Sequence, residues 1–278
     1  MKTILTTSLA LMIAFSSFGQ THNFDKQLIY QMTYQKDTAD IQSTQMELME
    51  LIMGESINIF QSVKIGKRDS INSYGKRADK DFQPSTRQVI DLRTPVKYSI
   101  YKLKNNSLLF KENLTYSPDS EENTVYYEET PELDWELSED TLTLSGFSCQ
   151  KALLRYQNRT WTAWFTQEIP IEEGPYKFRG LPGLIIKMND SSETWVFELL
   201  GINSISRLVS IPDETILKKK MLTKADFYKQ KRYQMENETI IKETNGHLYF
   251  FDPSAKQSII EKDKMKSKLD NNWIERYP

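Results

Sequence analysis

One cysteine, two histidines and ten glycines among 278 residues leave few ways to build a reactive or metal-binding centre. The single Cys149 excludes an intramolecular disulfide, so stability must come from burial and hydrogen bonding. It falls inside a strand pattern rather than at a helix N-terminus that would lower its pKa. His22 and His247 are too few for a histidine-based zinc site. No H-E-x-x-H, EF-hand or G-x-S-x-G spacing occurs, so neither metal nor cofactor is expected. A formal net charge of -2 argues against a nucleic-acid partner. Long apolar runs are also missing, with one exception at the start of the chain.

That exception is MKTILTTSLALMIAFSSFG, residues 1–19, in which Lys2 precedes an apolar run ending in small residues. This is the pattern of a secretory signal, and Ser17 and Gly19 predict cleavage between Gly19 and Gln20. No cysteine lies near that junction, so a lipid anchor there is excluded. The expected location is periplasmic or secreted, with residues 20–278 forming a single β-rich domain. No later run is long enough to span a bilayer, so no transmembrane segment is expected.

The chain has 14 Tyr, 13 Phe and 5 Trp, an enrichment that favours strands. Apolar runs or alternation bounded by turn residues predict strands at 27–34, 45–53, 56–63, 96–104, 107–112 and 124–129. Further strands are predicted at 133–137, 141–144, 147–156, 160–166, 184–188 and 194–203. Their short connections imply a mainly β fold: a curved antiparallel meander, half-barrel or open barrel, with one or two packed helices. A hairpin turns at Gln157-Asn158-Arg159, where Asn158 tolerates the left-handed conformation. In its second strand Trp161, Ala163 and Phe165 share one face, which leaves Trp164 on a face of threonines. One helix is predicted from Thr223, its N-cap, with Asp226 completing a capping box and Leu222 and Phe227 a staple; it should run to about Glu243 and stop at Asn245-Gly246. The acidic run from Asp119 to Asp140 lacks calcium-loop spacing. The end of the chain, about 255–278, reads as a charged tail with Trp273 and Ile274 as a docking point.

EEGPYKFRGLPGLIIKMND, residues 172–190, crowds Gly174, Pro175, Gly180, Pro182 and Gly183 together. No G-K-[ST] follows, so this is no phosphate loop. Gly180-Leu181-Pro182-Gly183-Leu184 fits a type II turn, with Pro182 presetting φ at the second turn position and Gly183 supplying positive φ at the third, and it feeds a strand that starts at Leu184-Ile185-Ile186. Beside this corner Trp161, Trp164, Tyr176 and Phe178 could form an apolar binding surface, with Arg159, Lys177 and Arg179 orienting an anionic group. Glu168, Glu172 and Glu173 are close enough in sequence to suggest paired carboxylates, the equipment of a secreted hydrolase.

With GLPGLI at residues 180–185, the chain resembles the GLPGLI family, secreted proteins of Bacteroidota-type bacteria. Supporting matches are Trp135, GFSCQKA at 146–152, RTWTAW at 159–164, EIPI at 168–171, GPYKF at 174–178, and NWIE at 272–275 in place of an Asn-Pro-Ile-Glu ending. Asn158 and Phe165 depart from the expected glycine and tyrosine. The resemblance implies an envelope or secreted protein of mainly antiparallel β fold; it implies no reaction. The expected function is non-enzymatic binding of an apolar small molecule or an envelope protein partner. The alternatives are a carboxylate hydrolase and an accessory of an outer-membrane transporter or envelope-stress system.

Overall fold

Residues that tolerate a left-handed backbone set where this chain reverses. Gln157 (φ 51°) and Asn158 (φ 57°) form a two-residue turn, so Arg159 pairs with Tyr156 as the first residue of a strand instead of belonging to the turn. The computed structural model describes residues 21–78, 83–114, 124–246 and 248–275. The predicted signal segment and its cleavage junction, Asp119, Glu121, Glu122 and His247 lie outside them.

The first half contains β1 (Thr21–Asp37), β2 (Asp40–Gly54), β3 (Ile57–Ser62), helix α1 (Val63–Ala78), the short α2 (Thr86–Asp91), β4 (Tyr98–Leu103), β5 (Leu108–Asn113) and β6 (Thr124–Glu129). The second half contains β7 (Glu136–Leu144), β8 (Phe147–Tyr156), β9 (Arg159–Thr166), β10 (Leu184–Asp190) and β11 (Trp195–Ser210). Helices α3 (Glu214–Lys220), α4 (Lys224–Glu236), α5 (Glu238–Thr244) and α6 (Pro253–Leu269) follow. No helix among the described residues is long and apolar enough to cross a membrane.

The eleven strands of the described residues form one antiparallel sheet in the order β6-β5-β4-β3-β2-β1-β11-β10-β9-β8-β7. The expected mainly β meander is present, and the sheet is open. It consists of two meanders, β1 to β6 and β7 to β11, joined by pairing of the first strand with the last. The helices exceed the one or two expected.

Alternation sorts the side chains into an inner and an outer face. Leu28, Tyr30, Phe60, Phe110, Tyr127, Leu154, Trp161 and Phe165 point inward into one core cluster. Phe24, Ile52, Ile59, Tyr101, Leu109 and Tyr126 form the other, covered by Leu217 of α3. A register shift between Phe24 and Lys26 is what sends Phe24 outward while Leu28 goes inward.

Thr223 caps α4 as expected, accepting from Asp226 N at 3.1 Å. The helix ends at Glu236, however, and α5 restarts after Asn237. The predicted tail is mostly helical: α6 buries no residue fully but packs on α4 and α5. It leads to residues 271–275, which run back against β1.

Candidate functional site

The Pro/Gly corner turns otherwise than the sequence suggests. Gly183 does take a positive φ of 149°. Its N–H donates to Leu181 O at 2.7 Å, a three-residue turn about Pro182, while Leu184 N donates to Ile169 O at 3.2 Å. This tighter reversal lays residues 172–183 against the inner face of the sheet as a plug, with residues 173–178 buried. A Cβ on Gly183 would lie 2.1 Å from Thr166 O, whereas one on Gly180 (φ 87°) would meet nothing within 4 Å. Gly183→Ala should therefore cost about 2–3 kcal/mol from backbone strain and a clash that no rotamer relieves, and Gly180→Ala about 1 kcal/mol. Thermal melts of the two variants compared with the parent chain would reveal equal losses if the plug were an ordinary loop.

The plug carries polar groups into the core, and each meets a partner from distant sequence. Lys102 of β4 is fully buried; its Nζ donates to Glu173 Oε2 at 3.0 Å, Gly174 O at 2.8 Å and Phe178 O at 3.1 Å. All three ammonium protons are thus used. Burial pulls this ammonium down to about 8, even with Glu173 beside it. Glu173 Oε1 accepts from Asn58 Nδ2 at 3.0 Å and faces Arg179 NH2 at 3.1 Å. Arg179 also donates to Leu103 O at 2.8 Å, and its own carbonyl accepts from Trp135 Nε1 at 2.9 Å.

Deeper in, Lys177 is fully buried and donates to Tyr127 OH at 2.7 Å and to the carboxylates of Glu129 and Glu275. Its ammonium lies 5.0 Å from the ring centroids of Phe110 and Tyr127. Tyr176 OH donates to Glu275 Oε1 at 2.7 Å, and Lys224 of α4 pairs with Glu129 at 2.6 Å and with Glu275 at 2.7 Å. Two cations thus meet two anions. Burial alone would raise Glu275, but the ammoniums of Lys177 and Lys224 hold it down at about 2.

A third set anchors the end of the chain. Arg159 donates to Asp190 at 2.7 Å, to Asn272 Oδ1 at 2.5 Å, and to the carbonyls of Trp273 and Ile274 at 2.8 and 3.1 Å. Asn272 in turn donates to Gln35 O at 2.6 Å, and Trp195 Nε1 donates to Asn272 O at 3.0 Å. Trp273 and Ile274 do dock, but the polar Asn272 and Glu275 of the same tetrapeptide lie deeper. Their Asn/Glu spacing, matched in the family resemblance, was the one sequence signal that could have found them.

Most residues of the expected binding surface are packed inside the protein. Trp161, Tyr176 and Phe178 are at most 1% exposed, and Phe178 lies 4.8 Å from Trp161 and 5.8 Å from Tyr156, centroid to centroid. These rings are filled by one another and leave no apolar surface open. Arg159 and Lys177 are buried in ion pairs. Leu181, Leu184 and Ile185 are core residues, Gly174 and Pro175 are buried, and Pro182 is exposed. Trp164 alone stays on the outer face, half-buried, opposite Lys187 of β10 and Lys151 of β8. The plug covers the Trp161 face, not that of Trp164.

The three glutamates separate. Glu168 is exposed and accepts from Ser148 N at 2.7 Å. Glu173 has both oxygens occupied. Glu172 is exposed at a cleft of about 430 Å³ at the mouth of the plug, lined also by Met53, Asn58, Lys102, Lys104, Pro170 and Arg179. Glu172 and Glu173 line it together, yet only Glu172 is left without a cation or amide holding it. Cys149 is buried on β8, and burial raises its thiol.

A family model described as "Protein of unknown function (Porph_ging)" matches residues 154–187, from late β8 through the plug into β10. No curated protein matches the chain in sequence. Among solved structures, those of PNGF-II in space groups P21 and C2 are similar at 14% identity over 76% of this chain, each with a TM-score of 0.46. The chain spans only 33% and 32% of the length of those two.

Proposed function

We propose that this is a non-enzymatic secreted or periplasmic protein of the GLPGLI type that binds an envelope protein partner. In this reading, its hexapeptide and its NWIE segment pack on the inner face of the sheet and take no part in binding. The observation that carries this reading is the internal pairing of the charged groups those motifs bring together. Lys177 and Lys224 are matched by Glu129 and Glu275, Arg159 by Asp190, and Lys102 by Glu173. A site built for chemistry keeps a group in reserve for its substrate; here the buried pairs are complete, and Glu172 stands outside them at the cleft mouth. An apolar small molecule has no comparable support, because the aromatic face meant to hold it is packed. Secretion rests on the pattern of residues 1–19.

The surface that suits a partner is the outer row in which Leu48, Gln31, Glu198, Lys187, Trp164 and Lys151 sit opposite one another from strand to strand. It offers a flat aromatic flanked by lysine stems, with Leu48 and Met46 exposed beside it. A photo-crosslinking residue placed at Trp164 in cells is expected to give one discrete adduct in the envelope fraction, lost when Lys187→Glu is added. A small molecule retained by the purified protein in native mass spectrometry, or crosslinks spread over many species, would overturn the proposal.

A further inference from the structure

The plug leaves one strand edge exposed, and we propose that this edge is a self-association surface on which a second copy of this chain pairs antiparallel across a two-fold axis at Ile205. β10 pairs with β11 only through Lys187, Met188 and Asn189, opposite Glu198, Phe197 and Val196. β1 accompanies β11 along its whole length to Ser210. The reason for the early departure lies in the plug. Tyr30 OH donates to Ile185 O at 2.8 Å and Ile185 N donates to Glu173 O at 3.1 Å, with a register shift between Ile185 and Lys187. The start of β10 is thereby drawn inward. Among the described residues, nothing pairs with the outer side of residues 200–210.

The other two edges are guarded. β6 is partly covered by the segment after α3, with Leu222 N donating to Tyr126 O at 2.8 Å. β7 carries Glu136, Glu139 and Asp140, and its register breaks between Leu137 and Thr141. Acidic residues and irregular register are how natural sheets discourage edge pairing. Residues 200–210, GINSISRLVS after Leu200, have neither device. Their one charge, Arg207, is turned to the outer face and held by Glu50 at 2.8 Å. Leu200, Ile202 and Leu208 are 58%, 39% and 46% exposed.

The strand is also self-complementary. About a two-fold axis at Ile205, Ile202 falls opposite Leu208 of the second copy, Ser204 opposite Ser206, and Arg207 opposite Asn203. Apolar meets apolar and no like charges meet. Unpaired N–H and C=O groups on both copies supply the main-chain bonds.

The test uses the purified full-length protein. Sedimentation velocity should show a concentration-dependent dimer, weakened at least tenfold by Leu208→Lys, with an unchanged circular dichroism spectrum and melt because the position is exposed. The register has its own signature: Ser204→Cys chains mixed with Ser206→Cys chains should crosslink under mild oxidation, and each variant alone should crosslink much less. A monomer at all concentrations, or a dimer indifferent to Leu208→Lys, would overturn the proposal. Equal crosslinking of the single variants would overturn the axis at Ile205.

Discussion

Raising the pH is expected to unfold this protein in one cooperative step near pH 11. Burial raises Tyr30, Tyr34, Tyr98, Tyr101, Tyr127, Tyr156, Tyr176 and Tyr228 above the ordinary phenol value. Neighbouring carboxylates add to the rise, with Glu275 acting on Tyr127, Tyr156, Tyr176 and Tyr228. In the unfolded chain these phenols ionise near 10. Their contribution to stability is therefore complete below pH 10 and lost as pH rises, because only the unfolded chain can release those protons. One pH unit above the reference value, each such group is worth about 1.4 kcal/mol, and the eight together about 11 kcal/mol. That rivals the net stability of about 5–15 kcal/mol typical of folded domains. Phenolate absorbance and far-ultraviolet circular dichroism should change together. A phenolate signal that climbs to completion near pH 10 while the dichroism stays native would show that these rings are not sealed in the core.

The features legible in the sequence were those set by near neighbours. Asn158 announced its turn, Thr223 with Asp226 its cap, and the alternation of Trp161, Ala163 and Phe165 its inward face, because each signal spans only a few residues. Helix α1 was missed: VKIGKRDSINSYGKRA has two glycines and weak periodicity, and it is held by packing on β2, β3 and β11. β11 ran past its predicted end because β1 pairs with SISRLVS whatever its polarity. The interior ions were invisible for a different reason. A charged residue reads as surface by default, and Glu129 sits in an acidic run. The partners of Lys177 are far away in the chain, as are those of Arg159, and no local pattern encodes such a distance. The aromatic cluster at the motif was recognised, but alternation alone could not say that the plug would fold back onto it.

The same remote pairing makes Glu275, three residues before the last, a position of large effect. Glu275→Gln leaves Lys177 and Lys224 facing Glu129 alone, an uncompensated positive charge inside the core. Losing one member of a buried ionic group costs about 3–5 kcal/mol, or roughly a 10 °C fall in melting temperature for a chain of this size. The pH dependence gives a separate check on that figure. Glu275 is held at about 2, below its ordinary 4.5, so its contribution is complete above about pH 5 and lost as pH falls toward 2. The shift corresponds to about 3 kcal/mol. The gap between the parent chain and Glu275→Gln should therefore be widest at neutral pH and close on acidification. Adding Lys177→Met to Glu275→Gln restores the balance of Lys224 against Glu129, and the double variant should melt above Glu275→Gln alone. Were Glu275→Gln to lie within 1 kcal/mol of the parent at pH 7, the terminal segment would be a surface tail, and the plug would be held by its apolar contacts without it.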